Sequence, residues 1–326
     1  MTTFAPVCVA AVQATPVMLD LDASLEKALD LARDAAGRGA RLVVLPEGFL
    51  SFYPPSSITQ SRHDDAMTDL FERMWLSAVD VPGPVTDRLA SLCADLGIHL
   101  AIGINERESE RPGSLYNTLL LIGPGGLISK HRKLMPTHHE RLFHGIGPGT
   151  DLQVADTPIG RIGGLICWEH RMPVARYAVY RGGPQLWVAP TMDDNDVWLA
   201  LMRTIAYESG ASVISVCQYI HGSQFPDDFP VEIPGGRDRV LSHGNSAIID
   251  GASRAVVAGP LVDEEGILVA ECDLRASLRG KQWFDAVGHY SREDVLLDVI
   301  GAGQQVGNGH DGQAAASAAP AVQHDT

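Results

Sequence analysis

Cys167 is the residue of this sequence best placed to act as a nucleophile. It follows the apolar segment Arg161 to Ile166, which we predict to be a buried strand, and a helical pattern opens beyond it at Pro173. Near a helix amino terminus, the positive end of the helix dipole favours a thiolate over a thiol. A free cysteine is also commonly a small core residue, so this position alone leaves a packing role open.

Two further ionisable residues lie close behind apolar segments. Glu47 comes after Leu42 to Leu45, between a proline and a glycine. Packing explains a carboxylate at the end of a buried strand poorly, whereas desolvation would raise its pKa toward the range of a general base. Lys133 lies in the segment His131 to Arg141, where a solvated lysine is the common case. A cysteine hydrolase needs a fixed cation facing the charge that develops on the attacked atom, and Lys133 is the candidate for it.

Taken in chain order, Glu47, Lys133 and Cys167 lie in segments that resemble the nitrilase branch of the carbon–nitrogen hydrolase superfamily. The resemblance extends over roughly residues 6 to 300. Amidases and carbamoylases usually carry a different residue pair after the cysteine, so Trp168-Glu169 favours true nitrilases, of the plant-type and related bacterial groups. The segments that carry the resemblance are Val9 to Gln13, Leu45-Pro46-Glu47, His131 to Thr137, Cys167 to Pro173, Ala189-Pro190-Thr191, Trp198 to Glu208 and Phe284 to Arg292.

The resemblance implies an α/β fold, a four-layer α-β-β-α sandwich in which two sheets pack face to face. It implies hydrolysis of an organic nitrile to the carboxylic acid and ammonia through a thioimidate and a thioester on Cys167, with no metal and no organic cofactor. Glu140 takes the place of a second glutamate in the family pattern and would orient Lys133 or the hydrolytic water; otherwise it is a solvated carboxylate beside Arg141. The resemblance also implies homo-oligomers, in which dimers stack into larger spirals.

Two other functions stay open on the sequence. An amidase or a carbamoylase would use the same three residues, because its substrates pass through a related tetrahedral species and a thioester. A binding protein can also keep this fold with an inactive site, although the joint presence of Glu47, Lys133 and Cys167 argues against it. Release of ammonia from nitriles, from amides or from neither separates the three functions.

The nitrile that is bound depends on side chains at the mouth of the site, and aromatic, arylaliphatic and aliphatic nitriles all stay open. Trp168 is a candidate contact through a backbone N–H near the developing charge, and we expect its ring to pack. Glu169 and His170 either support the turn at Cys167 through hydrogen bonds or are satisfied structural groups. Further candidates lie in loops near strand ends, where pockets form in α/β folds: Phe52, Tyr53, Phe143, Thr191 and Met192.

Composition and charge restrict the partners. The chain has 326 residues, of which 45% are hydrophobic and 6% aromatic, and this suits one large α/β domain with a substantial core. A formal charge of -15 argues against nucleic acid or an anionic membrane surface as a partner and favours a small neutral molecule. The amino terminus carries neither a basic region nor a long apolar run, so we expect a cytoplasmic protein.

Cysteine and histidine spacing predicts neither disulfides nor a metal site. The five cysteines are widely and irregularly spaced. His139-Glu140 is followed by His144, one position beyond the spacing that places two ligands on one helical face. Apart from Cys167, we interpret the cysteines as core residues: Cys8, Cys93, Cys217 and Cys272.

Apolar runs alternate with amphipathic segments, which predicts strands and helices in layers. Residues 301–326 are rich in Gly, Ala and Gln without periodicity, so we predict one domain over 1–300 and a disordered tail after it. Strands are predicted at 7–13, 42–45, 99–105, 117–122, 127–130, 161–166, 186–189, 212–218, 245–249, 255–258 and 267–273. Helices are predicted at 21–36, 85–96, 174–181, 198–208 and 292–300.

Overall fold

The computed structural model describes residues 4–58 and 64–301 of the chain. Its strands are β1 (Val7–Gln13), β2 (Leu42–Val44), β3 (His99–Arg107), β4 (Leu115–Gly123), β5 (Gly126–Arg132), β6 (Ala155–Thr157), β7 (Gly160–Gly164), β8 (Leu186–Thr191), β9 (Ser212–Cys217), β10 (Tyr219–His221), β11 (Val240–Ile249), β12 (Val256–Val262) and β13 (Gly266–Cys272). Its α-helices are α1 (Leu21–Gly37), α2 (Asp65–Leu76), α3 (Pro84–Leu96), α4 (Pro173–Tyr180), α5 (Asp196–Ser209), α6 (Arg275–Trp283) and α7 (Glu293–Gly301). Short 3-10 helices are formed by His138–Leu142, Cys167–Arg171 and Gly222–Gln224.

The strands form two sheets, each built around three parallel strands. In the first sheet the order is β13-β1-β2-β3-β4-β5, with β1, β2 and β3 parallel and the flanking strands antiparallel. In the second sheet the order is β10-β11-β9-β8-β7-β6, with β7, β8 and β9 parallel, and β12 pairs with β11. Functional groups in such folds lie beyond the carboxyl ends of parallel strands, which here means after β2 and β7.

Three apolar layers hold the helices and sheets together. On the outer face of the first sheet, Leu25 of α1 packs in one cluster with Val43 of β2. Between the sheets, Val9 of β1 shares a cluster with Ile162 of β7. On the outer face of the second sheet, residues of α4 and α5 surround Trp187 of β8. The order helix, sheet, sheet, helix confirms the predicted four-layer α-β-β-α sandwich.

Most predicted elements are confirmed with shifted ends, but the sequence pattern misses α2, α6, β6 and β10. The sequence of α2 does contain a helix start and an apolar face. The side chain of Asp64 caps the helix by accepting from the N–H of Met67, and Met67, Leu70 and Met74 form the buried face. β6 and β10 have three residues each, too few for an alternating pattern to show. The strand predicted at 245–249 begins at Val240, since its first residues pair with β10.

The chain divides into two units, Met1–Tyr290 and Ser291–Thr326. In the second unit the structure describes α7, which confirms the helix predicted at 292–300 to within one residue. The predicted tail, apart from Gly301 at the end of α7, lies outside the described residues, so the domain boundary at 300 stays a prediction. Among the described residues, none of the helices combines the length and the hydropathy that a membrane-spanning segment requires.

All five cysteines are free thiols. Cys93, Cys217 and Cys272 are buried, which confirms the core role predicted for them. Cys8 on β1 is only partly buried, so the core role predicted for it is not confirmed; a Cβ at Gly39 would lie 4.0 Å from its Sγ.

Candidate active site

Glu47 follows β2, the middle strand of the parallel set in the first sheet, and it is fully buried. Gly103 on β3 makes room for it, because a Cβ at that position would lie 2.5 Å from the carbonyl oxygen of Pro46 and 2.6 Å from Cα of Glu47. Gln218, beyond β9, donates from Nε2 to the backbone oxygen of Glu47 at 2.7 Å. Gly103 and Gln218 carry no local sequence signal for this role, since both contacts come from distant strands.

Lys133 is buried between two carboxylates. It follows β5 directly, and its Nζ donates to Oε1 of Glu47 at 2.7 Å and to Oε1 and Oε2 of Glu140 at 2.9 and 2.7 Å. Glu140 lies in the 3-10 helix His138–Leu142, where its Oε2 also accepts the N–H of Thr137 at 2.6 Å. All three charged side chains are 0% exposed. The alternative that Lys133 and Glu140 are solvated loop residues is therefore wrong.

The three charges set one another's protonation. Burial raises the pKa of Glu47 to about 7, against the opposing effect of the Lys133 ammonium. At Glu140 burial acts in the same direction, but the ammonium outweighs it and lowers the pKa to about 2. At Lys133 burial favours the neutral amine, but the two carboxylates outweigh it and raise the pKa. Lys133 and Glu140 thus form a charged pair, and Glu47 is the group that titrates near neutral pH.

Asn117 on β4 joins the two carboxylates. Its Nδ2 donates to Oε1 of Glu47 at 2.8 Å and to Oε1 of Glu140 at 3.2 Å, and its backbone oxygen accepts the N–H of Lys133 at 2.8 Å. Within the described part of the chain, Oε2 of Glu47 has no hydrogen-bond partner, so this oxygen is available to accept a proton. The sequence signal for Asn117 is weak: a polar residue that shares one face of an otherwise apolar strand.

Cys167 begins the 3-10 helix Cys167–Arg171, just beyond β7. Its φ of +48° is an uncommon conformation for a residue other than glycine, and such strained positions cluster at functional sites. Gly164 allows β7 to approach β8 closely, because a Cβ there would lie 2.1 Å from the carbonyl oxygen of Val188. At the end of β8, the hydroxyl of Thr191 donates to Sγ of Cys167 at 3.3 Å.

The thiol of Cys167 differs from the low-pKa group expected at a helix amino terminus. Burial and the carboxylate of Glu47 raise its pKa well above the ordinary value, and Lys133 and the backbone N–H of Met192 oppose them only in part. The next α-helix, α4, begins beyond the 3-10 turn, and a helix dipole acts only over its first turn. Cys167 therefore rests as a neutral thiol near a carboxylate that titrates near neutral pH.

Glu169 links the turn at Cys167 to the Lys133 segment. Its Oε2 accepts the N–H of Ile166 at 2.7 Å, and its Oε1 accepts the N–H of Leu134 at 2.6 Å. The first amide directly precedes the thiol and the second directly follows the lysine. These bonds agree with the supporting role considered for Glu169 from the sequence.

His131 on β5 extends this link. Its Nε2 lies 3.0 Å from both carboxylate oxygens of Glu169, and its Nδ1 lies 2.9 Å from Oδ1 of Asp151. Burial would lower the pKa of His131, but the two carboxylates outweigh it and raise the pKa to about 9. The ring is therefore an imidazolium that donates to Asp151 and to Glu169 at neutral pH.

His170 supports the same turn as a neutral ring. Its Nδ1 lies 2.7 Å from the backbone oxygen of Cys167, and the indole N–H of Trp187 donates to Nε2 at 2.9 Å. Burial lowers the pKa of His170 to about 3. A neutral imidazole with its proton on Nδ1 satisfies both contacts, so His170 fixes the backbone at the thiol.

A cavity of about 250 Å³ opens onto Cys167. Three of the predicted substrate contacts line it, namely Tyr53, Trp168 and Met192. Thr191 is buried and contacts the sulfur, as described above. Polar side chains form much of the remaining wall: Ser56, Ser57, Thr137, His139, Asp193, Asp194 and Ser242.

Phe52 and Phe143 do not line this cavity. Both are buried in an apolar cluster that includes Phe225, whose ring centroid lies 6.4 Å from that of Phe52. Their backbones lie in the loops that carry Glu47 and Lys133, but their side chains point to the packed side of those loops. The structure thus places both residues in the core rather than at a substrate surface.

The ring of Trp168 lies at the cavity wall and is partly exposed, whereas the sequence led us to expect that it packs. It is 47% exposed, and its indole N–H donates to Oδ2 of Asp193 at 2.9 Å. The guanidinium of Arg171 lies 5.0 Å from the ring centroid and 2.6 Å from the same carboxylate oxygen. The turn at Cys167 directs the thiol inward and the following side chain outward, which places the indole at the mouth.

The histidines of the Lys133 segment do not converge on one point. His144 contacts Oδ1 of Asn105 at 2.8 Å, whereas His139 lies 3.4 Å from the hydroxyl of Tyr53. His131 is held by Glu169, as described above. Among residues 4–58 and 64–301, no group of three or more His, Cys, Asp or Glu side chains is arranged to hold a metal ion.

Comparison with known proteins agrees with this geometry. A family model of carbon-nitrogen hydrolases matches residues 8–279. The chain belongs to the carbon–nitrogen hydrolase family. The matched range spans both sheets and includes Glu47, Lys133, Glu140 and Cys167.

Relatives of this carbon–nitrogen hydrolase include bacterial and plant nitrilases. An aliphatic nitrilase of Sinorhizobium fredii (strain HH103) is 43% identical over 295 residues, which cover 89% of this chain and 94% of the relative. Nitrilase 2 of Arabidopsis thaliana is 40% identical over 297 residues, which cover 87% and 86%. The structure of a carbon-nitrogen hydrolase from Helicobacter pylori G27 has the same fold, with a TM-score of 0.70 at 19% identity over 91% of this chain and 99% of that one. The resemblance to the nitrilase branch is confirmed.

Proposed function

We propose that this carbon–nitrogen hydrolase is a nitrilase, which converts an organic nitrile and water to a carboxylic acid and ammonia. The observation that carries the proposal is the position of Cys167. It lines an open cavity, and its thiol is close enough to the buried group of Glu47, Lys133 and Glu140 for their charges to shift its pKa. The identity of 40% and 43% to proteins named nitrilases supports the same substrate class.

The first half of the reaction attaches the substrate to the thiol. Oε2 of Glu47, which is free among the described residues, accepts the proton of Cys167 as Sγ attacks the nitrile carbon. One π bond of the nitrile breaks, its electron pair moves to nitrogen, and the nitrogen takes a proton. Lys133 supplies a positive charge facing this nitrogen and is the proton donor in this scheme. The product is a thioimidate.

The second half releases both products. Glu47 first passes the thiol proton to Lys133, its neighbour at 2.7 Å, which restores the carboxylate and the ammonium. A water then adds to the thioimidate carbon and gives a proton to Glu47, and a tetrahedral species forms. The nitrogen takes this proton from Glu47 and then the proton of the new hydroxyl by way of the same carboxylate. The carbon–nitrogen bond breaks, ammonia leaves, and a thioester remains on Cys167. A second water cleaves the carbon–sulfur bond, which releases the acid and restores the thiol. The scheme requires no metal and no organic cofactor.

The test is a measurement of ammonia from a panel of nitriles and the matching amides. We expect ammonia from nitriles, a covalent adduct on the parent protein by intact-mass measurement, and neither in Cys167→Ala. Glu47→Gln keeps the side-chain size, removes the base and should lose several orders of magnitude in kcat. Faster turnover of the amides than of the nitriles would assign the protein to the amidases, and residual activity of Cys167→Ala within about tenfold of the parent would reject the nucleophile.

Three other expectations from the sequence belong to this proposal. They are a cytoplasmic location, a homo-oligomer of stacked dimers, and a tail after residue 300 that the subunit does not need for folding. Light scattering after size-exclusion chromatography of the full chain and of a chain truncated after Ile300 tests the last two. A truncated chain that fails to fold would contradict the domain boundary.

A further inference from the structure

The carboxamide of Asn117 contacts the same carboxylate oxygens as the catalytic lysine. Asn117 Nδ2 donates to Oε1 of Glu47 and to Oε1 of Glu140, at 2.8 and 3.2 Å. Nζ of Lys133 donates to these two oxygens at 2.7 and 2.9 Å. Two donors thus converge on one edge of Glu47, and within the described residues its other oxygen, Oε2, is left without a partner.

Stability alone does not explain an asparagine at this position. The side chain is buried, and its Oδ1 has no hydrogen-bond partner among the described residues, which costs free energy. Leu119 and Leu121 lie on the same face of β4 and pack between the sheets. An apolar residue at 117 would continue that packing. The amide orientation follows from its neighbours, because an oxygen placed against two carboxylates would be repelled.

We propose that Asn117 is a positioning residue for Glu47: its donation to Oε1 favours the ionised carboxylate and leaves Oε2 as the oxygen that accepts the proton of Cys167. This inference deepens the proposed nitrilase mechanism and rests on it for the role of Glu47. It adds to the site a neutral residue on β4 that acts through Glu47 and does not touch the substrate.

The direction of the effect follows from the groups that face Glu47. Lys133 and Asn117 favour the ionised carboxylate of Glu47. Burial and the charge of Glu140 disfavour it. The neighbouring Tyr53 and Cys167 also disfavour it when they are ionised. Since the pKa of Glu47 already lies at about 7, the loss of one donor raises it through the neutral range. Activation of the thiol should then require a higher pH.

The experiment uses Asn117→Leu, which has similar size and no donor, and Asn117→Asp, which has equal size and adds a charge. The matched control is Thr118→Val, because Thr118 is also buried on β4 but donates to Glu106 at 2.8 Å on the opposite face. The rate at which iodoacetamide alkylates Cys167 in the full chain is measured against pH by intact mass, with Cys167→Ala as the background for the other cysteines. Circular dichroism confirms folding.

In the plot of alkylation rate against pH, we expect the midpoint of the acidic limb to rise by about one pH unit in Asn117→Leu and by more in Asn117→Asp. The rate should recover at high pH in both, and Thr118→Val should keep the parent midpoint. An unchanged midpoint in a folded Asn117 variant, or a rate lowered equally at every pH, would overturn the inference. If Asn117→Leu does not fold, Asn117→Asp gives the same decision.

Alkylation requires no nitrile, so its result is separable from the proposed function. If the midpoint of alkylation rises in the Asn117 variants but the parent releases ammonia from no nitrile, the role of Asn117 is supported and the nitrilase function is rejected. If the parent turns over nitriles but the midpoint of alkylation is unchanged in the Asn117 variants, only the role of Asn117 is rejected.

Discussion

The imidazolium of His131 lies against the carboxylate of Glu169, with Nε2 3.0 Å from each oxygen. Through this contact β5, which precedes Lys133, is joined to the turn that presents Cys167. Two groups of the proposed mechanism that lie far apart in the sequence therefore share one buried ion pair, which we call the brace.

Glu169→Gln should weaken the brace without changing its size. One carboxylate oxygen becomes an NH₂ group, which cannot accept the backbone N–H that it faces, and His131 loses a charged partner. We expect a decrease of about 3 kcal/mol in the free energy of unfolding, as for other broken buried ion pairs. We also expect kcat to decrease by a larger factor than KM changes. Urea unfolding and steady-state kinetics measure the two effects.

The control for this change is Glu26→Gln, because Glu26 pairs with Arg88 at an exposed position. Its unfolding free energy should stay within about 0.5 kcal/mol of the parent. Equal stability of Glu169→Gln and Glu26→Gln would contradict the brace.

His131 should make stability depend on pH in the alkaline range. Its pKa is raised from 6.5 to about 9 in the folded protein, so the folded state binds this proton more tightly than the unfolded state. The stabilisation is fully present below pH 6.5 and is lost as the pH rises through about 9. The shift corresponds to about 3 kcal/mol. Urea unfolding at about pH 6 and about pH 9.5 should show this loss in the parent and not in His131→Gln. An equal change in the free energy of unfolding between the two pH values in both proteins would contradict the prediction.

Lys133→Arg should abolish most of kcat although it keeps the charge. The lysine occupies a fully buried space between Glu47 and Glu140, and a planar guanidinium is larger and cannot readily give up a proton. Single-turnover kinetics with a nitrile measure formation of the thioimidate in the variant. Activity close to that of the parent would mean that Lys133 contributes only its charge.

Glu140→Gln should increase the share of amide among the products. The tetrahedral species can expel ammonia to give the acid, or the thiolate to give an amide, and a protonated nitrogen favours the first route. Glu140 helps hold the positive charge of Lys133, which lies 2.7 Å away. We expect mainly acid from the parent and more amide from the variant; a difference of about 1.4 kcal/mol between the two routes changes the ratio tenfold. Chromatography of acid and amide at early time measures this ratio, and an unchanged ratio would reject the role of Glu140.

The positions of Glu47, Lys133 and Cys167 relative to the strands could be predicted from the sequence, because the hydrophobic pattern that marks a strand is local. β2, β5 and β7 end shortly before these three residues, as expected from the apolar segments. The layered α/β class has the same local origin, since alternation of strands and amphipathic helices is a property of short windows.

Only the tertiary structure decided which side chains meet and how they are charged. Asn117 contacts Glu47 across 70 residues of chain, and Phe52 turns into the core although it lies five residues beyond Glu47. The raised pKa of Cys167 and the charged state of His131 likewise depend on burial and on carboxylates from other segments. Desolvation and contact between distant segments arise only when the strands assemble into sheets and the sheets pack together, so no local pattern contains them.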